Sequence, residues 1–270
     1  MLSAGLFALG ILLLLAGGRV LVASATELAS RFGASKLLVG LTIVAWGTSA
    51  PELALNLSAA IKGNGDLVLG NVVGSNVSNL GLVLGVAALI RPLTVRSTLI
   101  RLELPLLIAM LGGMALAGVL PSPAEAFYSR PKGAMLLSAF AVYTVWTIVA
   151  SLRPKRPDEE LGNVAVESVT AQAHRRPLRL LLLGIVAGIV LLGAGGSLAA
   201  DSAVEVAKAL GVSDRVIGIT IVAVGTTLPE LITSIIAVRA GEADLAVGNC
   251  IGSCLFNAGM IFGLCTTIAP

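Results

Sequence analysis

Two segments of this chain repeat each other at one fixed offset. Residues 40–79 and 218–257 carry the same amino acid at 19 of 40 positions, and no gap is needed to align them. The shared positions include a proline, a glutamate and two asparagines, which an apolar composition alone would not place in register. A weaker match at the same offset, 178 residues, extends back to the pair Gly18 and Gly196. The sequence therefore predicts two related halves, each carrying one copy of the same structural unit.

The composition places these halves in a membrane. Of 270 residues, 56% are hydrophobic and 12% are charged, whereas a soluble domain carries about 25% charged residues. A helix needs about 20 apolar residues to cross roughly 30 Å of hydrocarbon. Eight stretches meet this length, at about 4–23, 38–61, 67–90, 102–120, 133–152, 178–200, 216–238 and 244–268. The predicted fold is an all-α polytopic membrane protein, in which the long polar segment 153–177 is a linker.

The basic residues predict how the bundle is oriented. If the N-terminus lies outside, twelve Lys and Arg residues fall in inner segments and five in outer ones. The positive-inside rule therefore favours an outside N-terminus and a cytoplasmic linker. The membrane is expected to be the cytoplasmic (inner) membrane of a cell. Because these cations lie between spans, the net charge of +3 does not indicate a nucleic-acid partner, and the predicted partner is the lipid bilayer.

The number of spans decides how the two copies are related. Each residue of the first copy lies five spans before its counterpart in the second copy. Because every span crosses the membrane once, an odd number of spans gives the second copy the opposite orientation. The predicted arrangement is an inverted repeat, with five spans at 1–152, the linker at 153–177 and three spans at 178–270. Inverted repeats are common among secondary transporters, whose broken helices converge near the middle of the membrane.

Each copy contains a glutamate that directly follows a proline inside an apolar span. Glu52 ends the stretch Gly-Thr-Ser-Ala-Pro-Glu, and Glu230 ends the stretch Gly-Thr-Thr-Leu-Pro-Glu. A charged carboxylate at mid-membrane costs about 2.5–3.5 kcal/mol even on the lenient insertion scale, so such residues usually face the protein interior and function there. The proline cannot donate to the carbonyl four residues earlier and so breaks the helical turn. One copy could be a kinked packing helix, but two inverted copies favour a shared cation site.

The residues around both glutamates favour a hard cation. Two facing carboxylates in a low dielectric repel, so either one binds a proton or a cation lies between them. Calcium matches their summed charge and takes about six to eight oxygens from carboxylates, carbonyls, amides and waters. The sequence supplies the hydroxyls of Thr48, Ser49, Thr226 and Thr227, carbonyls near Ala45 and Ala223, and the side chains of Ser75, Asn79, Ser253 and Asn257. No thiol or imidazole occupies a repeated position, which argues against copper or zinc.

Other polar residues of these spans have a structural interpretation. Asn71 and Asn249 are expected to hydrogen-bond between helices rather than bind an ion. Asp66 and Asp244 begin their spans and are predicted to cap them. The three cysteines are expected to pack as small buried residues rather than bind a metal.

Both copies combine GT[ST]xPE with GNxxGSxxxN, and the serine follows the glutamate by 23 residues in each. These motifs resemble the alpha repeats of the calcium/cation antiporter superfamily, sodium/calcium exchanger branch of the prokaryotic type. The resemblance implies antiport of calcium for sodium by alternating access at a single site, with these ions as cargo, no cofactor and no enzyme activity. It implies an ion site made of Ala45, Thr48, Ser49, Glu52, Ser75, Asn79, Ala223, Thr226, Thr227, Glu230, Ser253 and Asn257. Within it, calcium is expected to contact Glu52, Glu230, Thr48 and Thr226.

The sequence departs from the family pattern in two respects. Position 257 is Asn where some exchangers carry Asp, so the site has two carboxylates only and the sodium stoichiometry stays open. The family usually has ten spans, and Pro270 aligns with Pro92. Counterparts of the fourth and fifth spans are therefore expected to be missing, or to be supplied by a second copy in a homo-oligomer. A calcium/proton antiporter on the same scaffold and a truncated, non-transporting member are the alternative functions.

Overall fold

The computed structural model describes residues 2–93, 95–119, 129–151, 176–212 and 223–269, and the regular elements in these ranges are all helices. In chain order they are α1 (Leu2–Phe32), α2 (Lys36–Thr48), α3 (Ala50–Ile61), α4 (Gly65–Ile90), α5 (99–119), α6 (Arg130–Ser151), α7 (Leu178–Ala209), α8 (Ala223–Thr226), α9 (Leu228–Arg239) and α10 (Ala243–Ile268). Six of these described helices are long and apolar enough to cross a membrane, and α2 with α3 forms a further span bent by 50°. The chain is thus an all-α, multi-pass membrane protein, as the sequence predicts.

The seventh predicted span and the linker fall partly outside these ranges. The span predicted at 216–238 begins among residues 213–222, which are not described, and α8 and α9 form its described part. Of the linker predicted at 153–177, only the last two residues are described.

The first and sixth helices extend beyond the apolar stretches at 4–23 and 178–200. α1 ends at Phe32 and α7 at Ala209. The apolar pattern ends earlier because the last turns carry charged residues such as Glu27 and Lys208. A helix tolerates such residues once it has left the hydrocarbon, so hydropathy underestimates the length of a helix that continues into the polar region.

α1 and α7 form an antiparallel pair whose backbones are in direct contact. A Cβ added to Gly10 would lie 2.9 Å from the carbonyl oxygen of Gly195, and one added to Gly17 would lie 2.9 Å from that of Gly188. In the repeat, Gly10 corresponds to Gly188 and Gly17 to Gly195. The two contacts are therefore exchanged by a two-fold axis between the copies. The predicted inverted repeat is confirmed, and small residues are required here because a side chain would separate the helices.

A second close contact joins α2 of the first repeat to α10 of the second. A Cβ added to Gly40 would lie 3.0 Å from the Cα of Gly248, and one added to Gly248 would lie 2.9 Å from the Leu41 nitrogen. Further along, a Cβ added to Gly252 would lie 2.8 Å from the Cβ of Ala45. The two repeats are therefore interleaved, and this contact places the end of α2 directly on α10.

α4 and α10 share an irregularity at equivalent positions. Each contains a π-helical turn, Asn79–Val83 in α4 and Phe256–Ile261 in α10. Such a turn inserts an extra residue into a helix and is often found at functional sites. Both turns start at or next to the repeated asparagine, Asn79 or Asn257. α10 lies at the centre of the bundle, with 78% of its apolar stretch buried against 33% or less in the other candidate spans.

The prediction that Asp66 and Asp244 cap their helices is wrong. The capping positions are Asn64 and Glu242, and neither side chain bonds to the helix it precedes. Each aspartate lies in the first turn, where a negative charge is still favoured by the helix dipole. Asp244 also forms an ion pair with Arg96, with 2.5 Å between Nη2 and Oδ2. These residues therefore stabilise the ends and loops of the bundle.

Candidate functional site

Both glutamates lie in the first turn of a helix that begins directly after a break. Pro51 and Pro229 stand at the starts of α3 and α9, where a missing amide hydrogen costs the helix nothing. The same missing hydrogen opens the preceding turn, because Pro51 cannot donate to the Gly47 carbonyl. Glu52 and Glu230 therefore lie at helix N-termini, where the dipole stabilises a negative charge. Both side chains are completely buried.

One hydrogen bond joins the two repeats at the carboxylates. Ser49 Oγ of the first broken turn donates to Glu230 Oε1 of the second at 2.8 Å. Ser49 precedes Glu52 by three residues, so this bond holds the Glu230 carboxylate against the turn that leads into Glu52. The structure thus brings the two acids together, as an inverted repeat with converging broken helices requires.

Several buried oxygens on the helices that carry and flank the glutamates have no hydrogen-bond partner within the described part of the chain. These atoms are both carboxylate oxygens of Glu52, Oε2 of Glu230, Ser75 Oγ and the amide oxygens of Asn79 and Asn257. All five residues are at most 3% exposed. Buried polar groups are normally paired, and an unpaired one costs about 1–3 kcal/mol. Unpaired carboxylate, hydroxyl and amide oxygens are the groups that a hard cation binds.

The Ala45 carbonyl is surrounded by donors. Thr48 Oγ1 lies 3.2 Å from this oxygen, and Ser253 Oγ of α10 donates to it at 3.5 Å. The carbonyl also accepts the Ser49 amide at 3.0 Å. The break at Pro51 therefore does not free this carbonyl, because its helical hydrogen bond is intact. One lone pair remains, and the two hydroxyls compete for it.

The second broken turn is described in part. Ala223 begins α8 directly after residues that are not described, and only its backbone is described. Thr227 is buried like its counterpart Ser49, whereas Thr226 is half-buried and its counterpart Thr48 is buried. All four predicted hydroxyls thus lie on the two broken turns, and three of them are buried.

The backbone of the first glutamate is held by an amide side chain that was not among the predicted site residues. Asn56 Nδ2 donates to the Glu52 carbonyl oxygen and to Asn71 Oδ1, each at 2.7 Å. Asn56 is fully buried. A signal for it was available in the sequence, because Asn56 follows Glu52 by four residues and therefore lies on the same helix face.

The second repeat contains the corresponding contact at positions 178 residues later. Asn249 Nδ2 donates to Ser234 Oγ at 3.0 Å and to the Glu230 carbonyl oxygen at 3.3 Å. Ser234, which was also missed, follows Glu230 by four residues. Asn249 additionally approaches the other repeat, with Oδ1 3.1 Å from Thr48 Oγ1. The asparagines of both repeats thus form the interhelical hydrogen bonds expected of them.

Contacts between α4 and α10 hold two further predicted ligands, Asn79 and Asn257. Asn257 Nδ2 donates to Asn76 Oδ1 at 3.3 Å, and Cys250 Sγ donates to the Asn79 carbonyl oxygen at 2.9 Å. All three cysteines are buried and free. Over the described ranges, no three His, Cys, Asp or Glu side chains come together. The groups offered near the broken turns are therefore oxygens from carboxylates, hydroxyls and amides.

Comparison with known proteins gives a consistent result. The chain matches the family model described as sodium/calcium exchanger protein over residues 2–149 and 180–270. It is 38% identical over 273 residues to the putative antiporter CaxA of Alkalimonas amylolytica, an alignment that covers 100% of this chain and 82% of the relative. It is 34% identical over 272 residues to the inner membrane protein YrbG of Escherichia coli (strain K12), covering 100% of this chain and 81% of the relative. A structure of the sodium-calcium exchanger NCX_Mj, soaked with Na+ and Ca2+, aligns with a TM-score of 0.81 at 29% identity, covering 99% of this chain and 82% of that chain.

Proposed function

Because the chain belongs to the sodium/calcium exchanger family, a family of transporters and not of enzymes, we propose that it exchanges calcium for sodium by alternating access at one site. The observation that carries this proposal is the contact between the inverted broken turns, in which Ser49 of one repeat binds Glu230 of the other. Together with Glu52, the site holds two buried carboxylates. One calcium ion neutralises both charges, and the surrounding oxygens are ligands that calcium prefers.

The proposed ion site uses oxygens from both broken turns and from α4 and α10. Its members are Ala45, Thr48, Ser49, Glu52, Ser75, Asn79, Ala223, Thr226, Thr227, Glu230, Ser253 and Asn257. Calcium is proposed to contact Glu52, Glu230, Thr48 and Thr226 directly. The support for this set is the burial of most of these side chains and the unpaired oxygens of Glu52, Ser75 and Asn79.

The proposed coupling of the two ion fluxes follows from competition for the same carboxylates. Calcium and sodium exclude each other if both require Glu52 and Glu230. A site without any cation would hold two like charges in a buried environment, where they repel strongly. The empty carrier is therefore disfavoured, and each return across the membrane requires the other ion.

The proposed moving element is the α1–α7 pair. Its contacts with the two broken turns are not equivalent, although the repeats are related by a two-fold axis. A Cβ added to Gly196 of α7 would lie 3.2 Å from Pro229 Cγ. Two-fold symmetry would place the equivalent Gly18 of α1 against Pro51. Instead, a Cβ added to Gly18 would lie 2.7 Å from Ile236 Cδ1. The pair is thus displaced toward one repeat, as expected for one end state of a pair that slides across the site.

The proposed topology has an outside N-terminus, a cytoplasmic segment at 153–177 and repeats at 1–152 and 178–270. Three ion pairs support the order of the spans, because each joins helix ends that this order puts on one face of the membrane, whereas the choice of the inner face rests on the basic residues. The ion pairs are Lys36 with Glu242, Arg96 with Asp244, and Arg176 with Glu27. We place the protein in the cytoplasmic membrane, in agreement with the name of the relative from Escherichia coli.

Calcium-45 uptake into sodium-loaded proteoliposomes tests the proposal. The wild-type protein should take up calcium only while an outward sodium gradient exists. Glu52→Gln and Glu230→Gln should each reduce uptake about 100-fold or more, because breaking a buried charge partnership costs about 3 kcal/mol or more and each 1.4 kcal/mol is tenfold. Glu103→Gln is the matched control, since Glu103 is also a buried carboxylate but belongs to α5, away from the broken turns. This control should retain exchange.

The same vesicles discriminate the alternatives. Unchanged uptake in both glutamate variants would remove Glu52 and Glu230 from the mechanism. Uptake that a pH jump drives without sodium would identify a calcium/proton antiporter. A folded protein that binds no calcium in detergent would be a non-transporting member of the family.

A further inference from the structure

Asn249 is the one side chain described above that bonds to the glutamate of one repeat and to the threonine of the other. Its amide nitrogen donates to the Glu230 carbonyl, and its Oδ1 lies 3.1 Å from Thr48 Oγ1. We propose that Asn249 is a positioning residue, which orients the Thr48 hydroxyl so that both Thr48 and the Ala45 carbonyl can bind the transported ion. This inference rests on the exchange function proposed above and adds to it a residue that does not touch the ion.

The orientation of the Asn249 amide is fixed by its partners. The Glu230 carbonyl oxygen can only accept a hydrogen bond, so the atom 3.3 Å from it must be the amide nitrogen. The same nitrogen also donates to Ser234 Oγ at 3.0 Å. The amide oxygen therefore faces Thr48, and the Thr48 hydroxyl must be the donor in that contact.

The position of the Thr48 hydrogen controls two of the proposed ligands. A threonine hydroxyl has one hydrogen and two lone pairs. Thr48 Oγ1 lies 3.2 Å from the Ala45 carbonyl oxygen and 3.1 Å from Asn249 Oδ1, and the Glu230 carboxylate is a third acceptor in its reach. When the hydrogen points to Asn249, Thr48 leaves the remaining Ala45 lone pair to the ion, for which the Ser253 hydroxyl at 3.5 Å is then the one competitor named above. The Thr48 oxygen also offers its own lone pairs. Without the Asn249 oxygen, the hydrogen turns to the Ala45 carbonyl or the Glu230 carboxylate and occupies a lone pair that the ion would use.

The packing of α10 on α2 explains why Asn249 can reach across the repeats. Its neighbour Gly248 lies so close to α2 that an added Cβ would be 2.9 Å from the Leu41 nitrogen. One turn further, Gly252 is in the same close contact with Ala45. Because no side chain holds these helices apart, the short side chain of Asn249 spans the remaining distance to Thr48. Asn249 and Thr48 are each at most 1% exposed.

Exchange kinetics in sodium-loaded proteoliposomes test this role. Asn249→Leu removes the amide at similar volume, and it should raise the half-saturating calcium concentration about tenfold while the maximal rate changes less than twofold. Asn249→Ser, which is too short to reach Thr48, should do the same and covers the case in which the leucine variant does not fold. Ser234→Ala is the matched control, because it removes the other partner of the same amide nitrogen and leaves the contact with Thr48. It should stay within twofold of wild type.

A double-mutant cycle with Thr48→Val separates positioning from general damage. If Asn249 acts through the Thr48 hydroxyl, Asn249→Leu should have no further effect once that hydroxyl is gone. A half-saturating concentration within twofold of wild type in Asn249→Leu, or an additive loss in the double variant, would overturn the inference while exchange itself persists. Failure of the wild-type protein to exchange calcium would instead refute the proposed function, and the role of Asn249 with it.

Discussion

The backbone contact between α1 and α7 makes a quantitative prediction for the replacement of Gly17 by alanine. The new Cβ would lie 2.9 Å from the Gly188 carbonyl oxygen, the Leu191 Cβ and the Leu192 nitrogen. Ordinary contacts of a Cβ begin near 3.4 Å, and backbone atoms cannot rotate away as the end of a side chain can. The two helices must therefore separate by roughly 0.5 Å along their contact.

The size of the effect is the difference between two opposing terms. Overpacking of a close contact costs about 1–3 kcal/mol, whereas alanine is favoured over glycine inside a helix by about 0.5–1 kcal/mol. Gly17→Ala should therefore lower the free energy of unfolding by roughly 1–2 kcal/mol. Gly188→Ala should do the same, because its added Cβ would lie 2.8 Å from the Leu21 Cβ and 3.0 Å from the Gly17 carbonyl oxygen.

Gly5→Ala is the control for this pair, because an added Cβ there has no atom within 4 Å in the described part of the chain. It should be neutral, or more stable by up to about 1 kcal/mol. The assay is denaturant unfolding of the protein in detergent, followed by circular dichroism. If Gly17→Ala and Gly5→Ala were equally stable, the two helices would not pack backbone to backbone, and the reciprocal glycine contacts would have to be abandoned.

Three further predictions concern single contacts. Asn56→Leu should lower the free energy of unfolding in a denaturant titration by about 1–3 kcal/mol, because it leaves the Asn71 amide oxygen without its donor. Asn56→Ser should recover part of this loss, because serine is the residue at the equivalent position of the other repeat, Ser234. Asp244→Asn should cost no more than about 1 kcal/mol in the same titration, because its partner Arg96 is 45% exposed; a loss of several kcal/mol would contradict this. Cys250 should resist maleimide in the folded protein, since it is fully buried and bonded to a carbonyl, and rapid labelling seen by mass spectrometry would show that α10 opens.

The membrane fold and its inversion were predictable because both follow from features read directly along the chain. Apolar length identifies a span, and the repeat with an odd number of spans identifies the inverted relation. The reciprocal contact of Gly10 with Gly195 was not predictable, because a sequence does not state which glycines of two helices face each other. The polar ends of α1 and α7 do not follow from the apolar stretches alone, since hydropathy reports where a helix is apolar and not where it stops.

The two carboxylates of the candidate site were predictable, whereas the residues that hydrogen-bond to their backbone were less so. Glu52 and Glu230 stand out because a carboxylate in an apolar span is costly. Asn56 and Ser234 lie four residues after them, and that spacing alone could have placed them on the same face. The contact of Asn249 with Thr48 depends on the close approach of α2 and α10, which only the three-dimensional packing provides.

Equilibrium binding of calcium-45 to the purified protein tests the central claim most directly, namely that two inverted repeats share one ion between their glutamates. The account predicts one calcium ion per chain in the wild type, displaced by sodium. It also predicts that Glu52→Gln and Glu230→Gln each weaken this binding about 100-fold or more. Two calcium ions per wild-type chain, with one retained at unchanged affinity in each variant, would mean that the glutamates bind separate ions and would contradict the account.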